Sequence, residues 1–159
     1  MSAILTFALP CWIINTALNL IPLSTWLRKC DRPLDQGWIA RDTHRLLGTS
    51  TTIAGGLIAV TLGAGLGVVA HNTLRGLLLG LLVYGGHALN SWLKRRLHLQ
   101  DGAYFPGDHI SSILLACLVF VSLSIITPYQ ALIALLLTAC IHPLGCYAAY
   151  RLKIRKRFL

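Results

Sequence analysis

Five stretches of this chain, roughly residues 3–23, 47–70, 76–93, 110–127 and 131–150, contain no lysine, arginine, aspartate or glutamate. Each comes close to the roughly 20 apolar residues that an α-helix needs to cross the hydrocarbon of a bilayer. Of the 159 residues, 55% are hydrophobic and only 12% charged, and the mean hydropathy is +0.67. A soluble domain carries about 25% charged residues, so a chain this short cannot cover its apolar surface with a water-facing shell. The pattern predicts an all-α polytopic membrane protein of about five transmembrane helices, forming one integral membrane domain over residues 1–159. No basic residue precedes Arg28 and no small-x-small cleavage site is present. The first run therefore reads as an uncleaved span, not a secretory signal. Pro10 before Cys11 also argues against lipoprotein processing.

The basic residues set the expected orientation. Arg28, Lys29, Arg32, Arg41 and Arg45 fall between the first two runs, and Lys94, Arg95 and Arg96 follow the third. Arg151, Lys153, Arg155, Lys156 and Arg157 close the chain, leaving Arg75 alone of the 14 on the other side. The positive-inside rule then puts the amino terminus outside and both long loops and the carboxyl terminus in the cytoplasm. The expected location is the inner (cytoplasmic) membrane, multi-pass. A net charge of +9 placed between apolar runs favours anionic lipid headgroups over nucleic acid as the partner. All five acids, Asp31, Asp35, Asp42, Asp101 and Asp108, lie in the same two loops as most of these bases. They read either as solvated loop charge or as part of a site for a phosphorylated ligand with a divalent metal.

Within the spans, the polar residues are few and patterned. His87, Asn90, Ser91 and Lys94 fall at i, i+3, i+4 and i+7, on one helical face. At about 1.5 Å per residue the stripe reaches roughly 10 Å below Lys94. It must face protein or a watery cavity, as an interhelical hydrogen-bond stripe or as a functional site. The second run opens on Thr49, Ser50, Thr51 and Thr52, hydroxyls able to hold phosphate oxygens or to cap a helix. Asn19 stands near the end of the first run, Asp108 with Ser111 and Ser112 opens the fourth as a possible cap, and His142 precedes Pro143 in the fifth. A tight turn is expected at Pro128-Tyr129-Gln130. The pairs Gly63/Gly67 and Gly76/Gly80 have the spacing of close helix packing. Four of the five cysteines sit in apolar runs, where they act as small hydrophobes.

From about Asn19 to the tail, the chain resembles the CDP-archaeol synthase family and its bacterial relatives, which are related to phosphatidate cytidylyltransferases. The resemblance rests on Asn19-x-x-Pro22, Pro33-Leu34-Asp35-Gln36-Gly37, Asp42 followed by Leu47-Gly48 and Gly55, and Asn90-Ser91-Trp92-Leu93-Lys94-Arg95-Arg96-Leu97. Asp108 and the basic close from Tyr150 complete it. It implies CTP-dependent activation of a lipid phosphate to a CDP-lipid with release of pyrophosphate. Lys94, Arg95 and Asp108 would then be catalytic. Asn19, Ser50, Thr52, His87, Asn90, Ser91 and Arg96 would bind substrate, and Asp108 and Asp42 would hold Mg²⁺. The chain departs from the family at Thr51, where a lysine is usual, at His87, where an acid is usual, and at His109, where a glutamine is usual. These changes leave a second possibility, a catalytically degenerate relative acting as a lipid-binding or structural subunit. A homo-oligomer or a larger membrane complex is compatible with either. A proton pathway through His87 and His142 is disfavoured, since nothing charged lies deep in the other spans to continue it.

Overall fold

The computed structural model describes residues 2–20, 31–40, 45–99 and 105–151. Asp42, Cys30 and Asp101 lie outside them, as do the side chains of Pro106 and His109. Five α-helices follow in order: α1 Ser2–Leu20, α2 Ile53–Val69, α3 Thr73–Arg96, α4 Ser111–Ser122 and α5 Pro128–Arg151, with a 3₁₀ turn at Pro106–His109 before α4. Among the described residues the only extended pairing is two isolated bridges, Pro33 with Thr52 and Ile39 with Arg45.

Helix α2 buries Gly55, Ala59, Gly63 and Gly67, one residue per four along a single face. Opposite it, α3 buries Gly76, Leu79, Gly80, Val83 and Gly86. A Cβ on Gly63 would strike the Gly76 carbonyl, and one on Gly76 would strike the Gly63 carbonyl. The backbones thus meet as the glycine spacing predicts, and dispersion between close main chains replaces side-chain interdigitation. Gly86 repeats the device against Ser111 and Ser112 of α4. Helix α1 turns Phe7, Ala8, Cys11, Ile14 and Leu18 inward. Phe7 meets the fully buried Phe120 of α4 with ring centroids 5.5 Å apart. Trp12 donates its indole N–H to Thr138 Oγ1 at 2.9 Å, tying α1 to α5. Outward, Leu57, Leu81, Leu118, Leu136 and Leu144 are each more than half exposed, an apolar exterior around a core rich in small residues.

Helix boundaries depart from the charge-free runs in several places, and α2 begins at Ile53, not near 47, because Thr52 caps it and residues 47–51 turn ahead of it. The fourth helix is 12 residues long, about 18 Å at the α-helical rise, and ends at Ser122 rather than near 127. Residues 123–127 turn instead, with Ser124 at φ 56°, because Ile125-Ile126-Thr127 runs into Pro128, which disfavours helix in the residue before it. The turn expected at Pro128–Gln130 is the first turn of α5. Thr127 N–H donates to Gln130 Oε1 at 2.9 Å and Gln130 N–H to Thr127 Oγ1 at 3.2 Å. This is a capping box with proline at the first helical position. Among the described residues, one helix is apolar enough by length and composition to cross a membrane, over Pro128–Tyr147, and only 22% of that window is buried. Helices α1, α2 and α4 are apolar but shorter. Of the described cysteines Cys11, Cys117 and Cys146 are buried, whereas Cys140 is exposed, on the outward side of α5.

Candidate active site

The last two turns of α3 and the 3₁₀ turn before α4 meet at Asp108. Lys94 Nζ lies 2.7 Å from Asp108 Oδ2, and Asn90 Nδ2 lies 2.5 Å from Oδ1. The Phe105 N–H also donates to Oδ2, at 3.3 Å. The aspartate therefore closes its own 3₁₀ turn and does not cap α4, whose N-cap, Ile110, has no side-chain bond. Asn90 and Lys94 reach one carboxylate because four residues of helix separate them and both project from the same face. The Lys94–Asp108 pair is only partly exposed, with side chains 14% and 27% accessible, so water screens it less than it does an open surface pair. Asn90 Oδ1 is buried beside this pair and accepts no hydrogen bond.

A second strut runs from this face to the loop that leads into α2. Ser91, on the turn after Asn90, accepts from Thr51 Oγ1 at 2.8 Å, and Thr51 is fully enclosed. The Thr51 carbonyl accepts from Leu34 N–H at 2.9 Å. Thr52 is the N-cap of α2, its hydroxyl accepting from Gly55 N–H at 3.2 Å, while Tyr84 of α3 donates its hydroxyl to the Thr52 carbonyl at 2.5 Å. Asp31 accepts from Ala54 N–H at 3.2 Å, placing a carboxylate at the positive end of the α2 dipole. The hydroxyl cluster is thus divided: Thr51 and Thr52 are built into the fold, and Ser50 stays exposed at the lip. The His87 ring lies against the Ser50 backbone carbonyl and within electrostatic range of Asp108 and Lys94.

The remaining expected residues are spread around this centre. Arg96 Nη2 reaches across to the Arg45 carbonyl at 2.9 Å and stacks its guanidinium 6.0 Å over Trp92. Arg95 folds back onto the Leu99 carbonyl at 2.5 Å. Asn19 is spent on the Asn15 carbonyl one turn up its own helix, at 2.8 Å. The fold thus brings Lys94, Asn90, Asp108 and His87 together, joins Ser91 to them through the backbone, and sets Arg95, Arg96 and Asn19 on other contacts. Asp42 falls outside the described residues.

Sequence reasoning placed Asp35 among the loop acids and in the family motif but gave it no role of its own. Its carboxylate is fully enclosed and accepts from Arg45 Nη2 at 2.7 Å, Leu47 N–H at 2.9 Å and Gly37 N–H at 3.1 Å. Burial pushes its pKa up, but these three donors outweigh that and hold it below the ordinary value of 3.8. The signal was in the chain: Pro33-Leu34-Asp35-Gln36-Gly37 is a proline–aspartate–glycine turn, whose side chain bonds backbone two residues on.

Two hard oxygens, the Asp108 carboxylate and the unbonded Asn90 Oδ1, suit Mg²⁺, which is typically held by one or two carboxylates with water and substrate phosphate completing the shell. Among the described residues no cluster of three or more histidine, cysteine or acidic side chains forms a closed metal cage.

A family model described as CarS-like, CDP-archaeol synthase, matches residues 1–158. A CDP-archaeol synthase from Methanopyrus kandleri is 34% identical over 96% of this chain and 90% of its own length. One from Pyrobaculum calidifontis is 31% identical over 98% of each. A solved structure described as an intramembrane enzyme for archaeal membrane lipids biosynthesis superposes with a TM-score of 0.72 at 25% identity, covering 89% of this chain and 90% of that one. With the fold, the length and the sequence in agreement, this chain belongs to the CarS-like family of CDP-archaeol synthases.

Proposed function

We propose that this protein is a membrane-embedded cytidylyltransferase that uses CTP to activate a lipid phosphate. A phosphate oxygen of the lipid forms a bond to the α-phosphorus of CTP, the bond to the β-phosphate oxygen breaks, and pyrophosphate leaves with its electron pair. The product is a CDP-lipid. The observation that carries this reading is the Lys94–Asp108–Asn90 cluster at the basic end of α3, in a chain matched to the family over 1–158.

Each residue has a task that its chemistry allows. Lys94 supplies a compact positive charge for triphosphate oxygens, and Arg95 and Arg96 add to the field at the same helix end. Asp108, with Asn90 Oδ1 beside it, would hold Mg²⁺, and Asp42 is proposed as a further ligand. Bound there, the metal would neutralise phosphate charge and orient the leaving pyrophosphate. Asn90 and Ser91 position the aspartate and the loop above it, His87 lines the deeper wall, and Ser50 borders the mouth, with Thr52 behind it holding the start of α2. Asn19 is proposed at the substrate edge of α1.

The apolar exterior and the five helices support a multi-pass protein, and the distribution of basic residues supports an outside amino terminus with the site open to the cytoplasm. The test is turnover of radiolabelled CTP by the purified protein with a lipid-phosphate mixture and Mg²⁺ or Mn²⁺. Labelled CDP-lipid is the expected product. No CTP binding at millimolar concentration with either metal would instead make the chain a catalytically silent lipid-binding or structural subunit.

A further inference from the structure

Beside the Asp108 centre, the loop entering α2 borders an open pocket of about 540 Å³ lined by Arg32, Pro33, Gln36, Gly37, Ile39 and Arg45. Two arginines in one small cavity need an explanation. Asp35 neutralises one Nη of Arg45. The Arg45 Nε is buried and has no hydrogen-bond partner, an arrangement that normally costs stability unless a ligand supplies the acceptor. Arg32 makes no ion pair among the described residues. Guanidinium groups match phosphate oxygens in a planar fork, so an anion with several such oxygens satisfies both.

The rim has the opposite character. The turn through Gln36 and Gly37, with φ of 47° and 86°, throws Trp38 and Ile39 outward, 73% and 70% exposed. An exposed tryptophan and isoleucine beside two arginines form the combination that settles at the headgroup level of a bilayer. Two backbone hydrogen bonds tie the described parts of the loop together. Leu46 N–H bonds the Trp38 carbonyl at 2.8 Å, and Ile53 N–H bonds the Arg32 carbonyl at 3.0 Å. Arg96 holds the Arg45 carbonyl, so the cavity shares a wall with the basic end of α3.

We propose that this cavity is a second anionic site, holding the phosphate head of a membrane lipid between Arg32 and Arg45 with the lipid body against Ile39 and Trp38. It rests on the membrane placement proposed above. The phosphate can come from the acceptor lipid, a phosphomonoester, or from surrounding anionic lipid, a phosphodiester.

Isothermal titration of the full chain in uncharged detergent tests it, with dihexanoyl phosphatidic acid, dihexanoyl phosphatidylglycerol, inorganic phosphate and CTP as probes. Saturable binding of a lipid probe is expected, at least tenfold weaker in Arg32→Gln, partly retained in Arg32→Lys, and unchanged in Asp108→Asn. Arg32 is exposed and its side chain bonds nothing described, so neither variant disturbs folding. Preference for the phosphomonoester assigns the site to the acceptor lipid, and equal binding of both assigns it to the surrounding lipid. Arg32→Gln binding like the wild type, inorganic phosphate binding as tightly as the lipids, or displacement of lipid by CTP would each overturn the proposal. A protein silent towards CTP that still binds lipid through Arg32 would remove the proposed reaction and leave this site standing.

Discussion

Asp108 accepts from Lys94, Asn90 and the Phe105 backbone together, so any cation it takes must compete with an ammonium already in place. Lys94 is therefore linked to metal and to triphosphate, and its removal is informative. Lys94→Ala is expected to weaken CTP binding by about 1.5–3 kcal/mol, the worth of a hydrogen bond to a charged group, read by titration in detergent. Asp108→Asn is expected to abolish the metal dependence of that binding. Thr51 sets a limit on restoring the usual family residue. It is fully enclosed against Ser91, so Thr51→Lys must bury or extrude an ammonium, and we expect a lower thermal midpoint than the wild type. Asp35 answers to pH. Its folded pKa lies below the ordinary 3.8, so the unfolded state takes up the proton first as pH falls. The stability it contributes is complete above 3.8 and is lost as pH drops through the depressed folded value. Asp35→Asn should flatten the acid limb of a thermal-stability profile below about pH 4, and should cost about 1.5–3 kcal/mol at neutral pH.

Helices α2 and α3 meet through glycine on both sides, and this contact sets the height at which Lys94 and Asp108 stand. Filling it is expected to part the helices. Gly63→Ala has only the Gly76 carbonyl and the Gly80 backbone to push against, and overpacking of this kind costs about 1–3 kcal/mol. Gly65→Ala, on the same helix with open space around it, should be neutral or slightly stabilising, as expected from helix propensity. Thermal unfolding of the two variants in one detergent separates packing from propensity. The same glycines show why much of the fold was legible. Charge-free runs mark α1, α2, α3 and α5, and spacing by four marks the faces that touch. The end of α4 was not legible from hydropathy, because Leu123–Thr127 is as apolar as the helix before it. The local signal was Thr127-Pro128-Tyr129-Gln130, a capping box that starts a helix where a turn was expected. In the candidate site, the Asn90–Lys94 face could be read from helical spacing. The contacts Thr51–Ser91 and Arg45–Arg96 join residues 40 and 51 positions apart, and no local pattern in the chain encodes them. For Asp35 the sequence left solvated loop charge and a ligand site both open, because burial depends on what folds over it.

Seen whole, the protein is asymmetric along its helices. The α3 end that carries Lys94, Arg95 and Arg96 also gathers Asp108, Asp35, Arg45 and the described residues 31–40 and 45–52. At the other end Arg75 lies in the first turn of α3, its guanidinium 5.5 Å from the centre of the Phe120 ring. That contact lets one cation rest against the core without an acidic partner. A bilayer adds a field to this asymmetry, because lysine and arginine flanking short loops are retained on the cytoplasmic side during insertion. The orientation can therefore be measured without any assay of activity. Single cysteines placed at Asn72 and Gln36, in a background with the five native cysteines replaced, report the two ends. Both positions are exposed. A membrane-impermeant maleimide applied to intact cells should label Asn72→Cys and leave Gln36→Cys untouched until the membrane is opened. The reverse pattern would place the Lys94–Asp108 site outside, away from any cytoplasmic supply of CTP. It would remove the proposed reaction while leaving the helix packing as described.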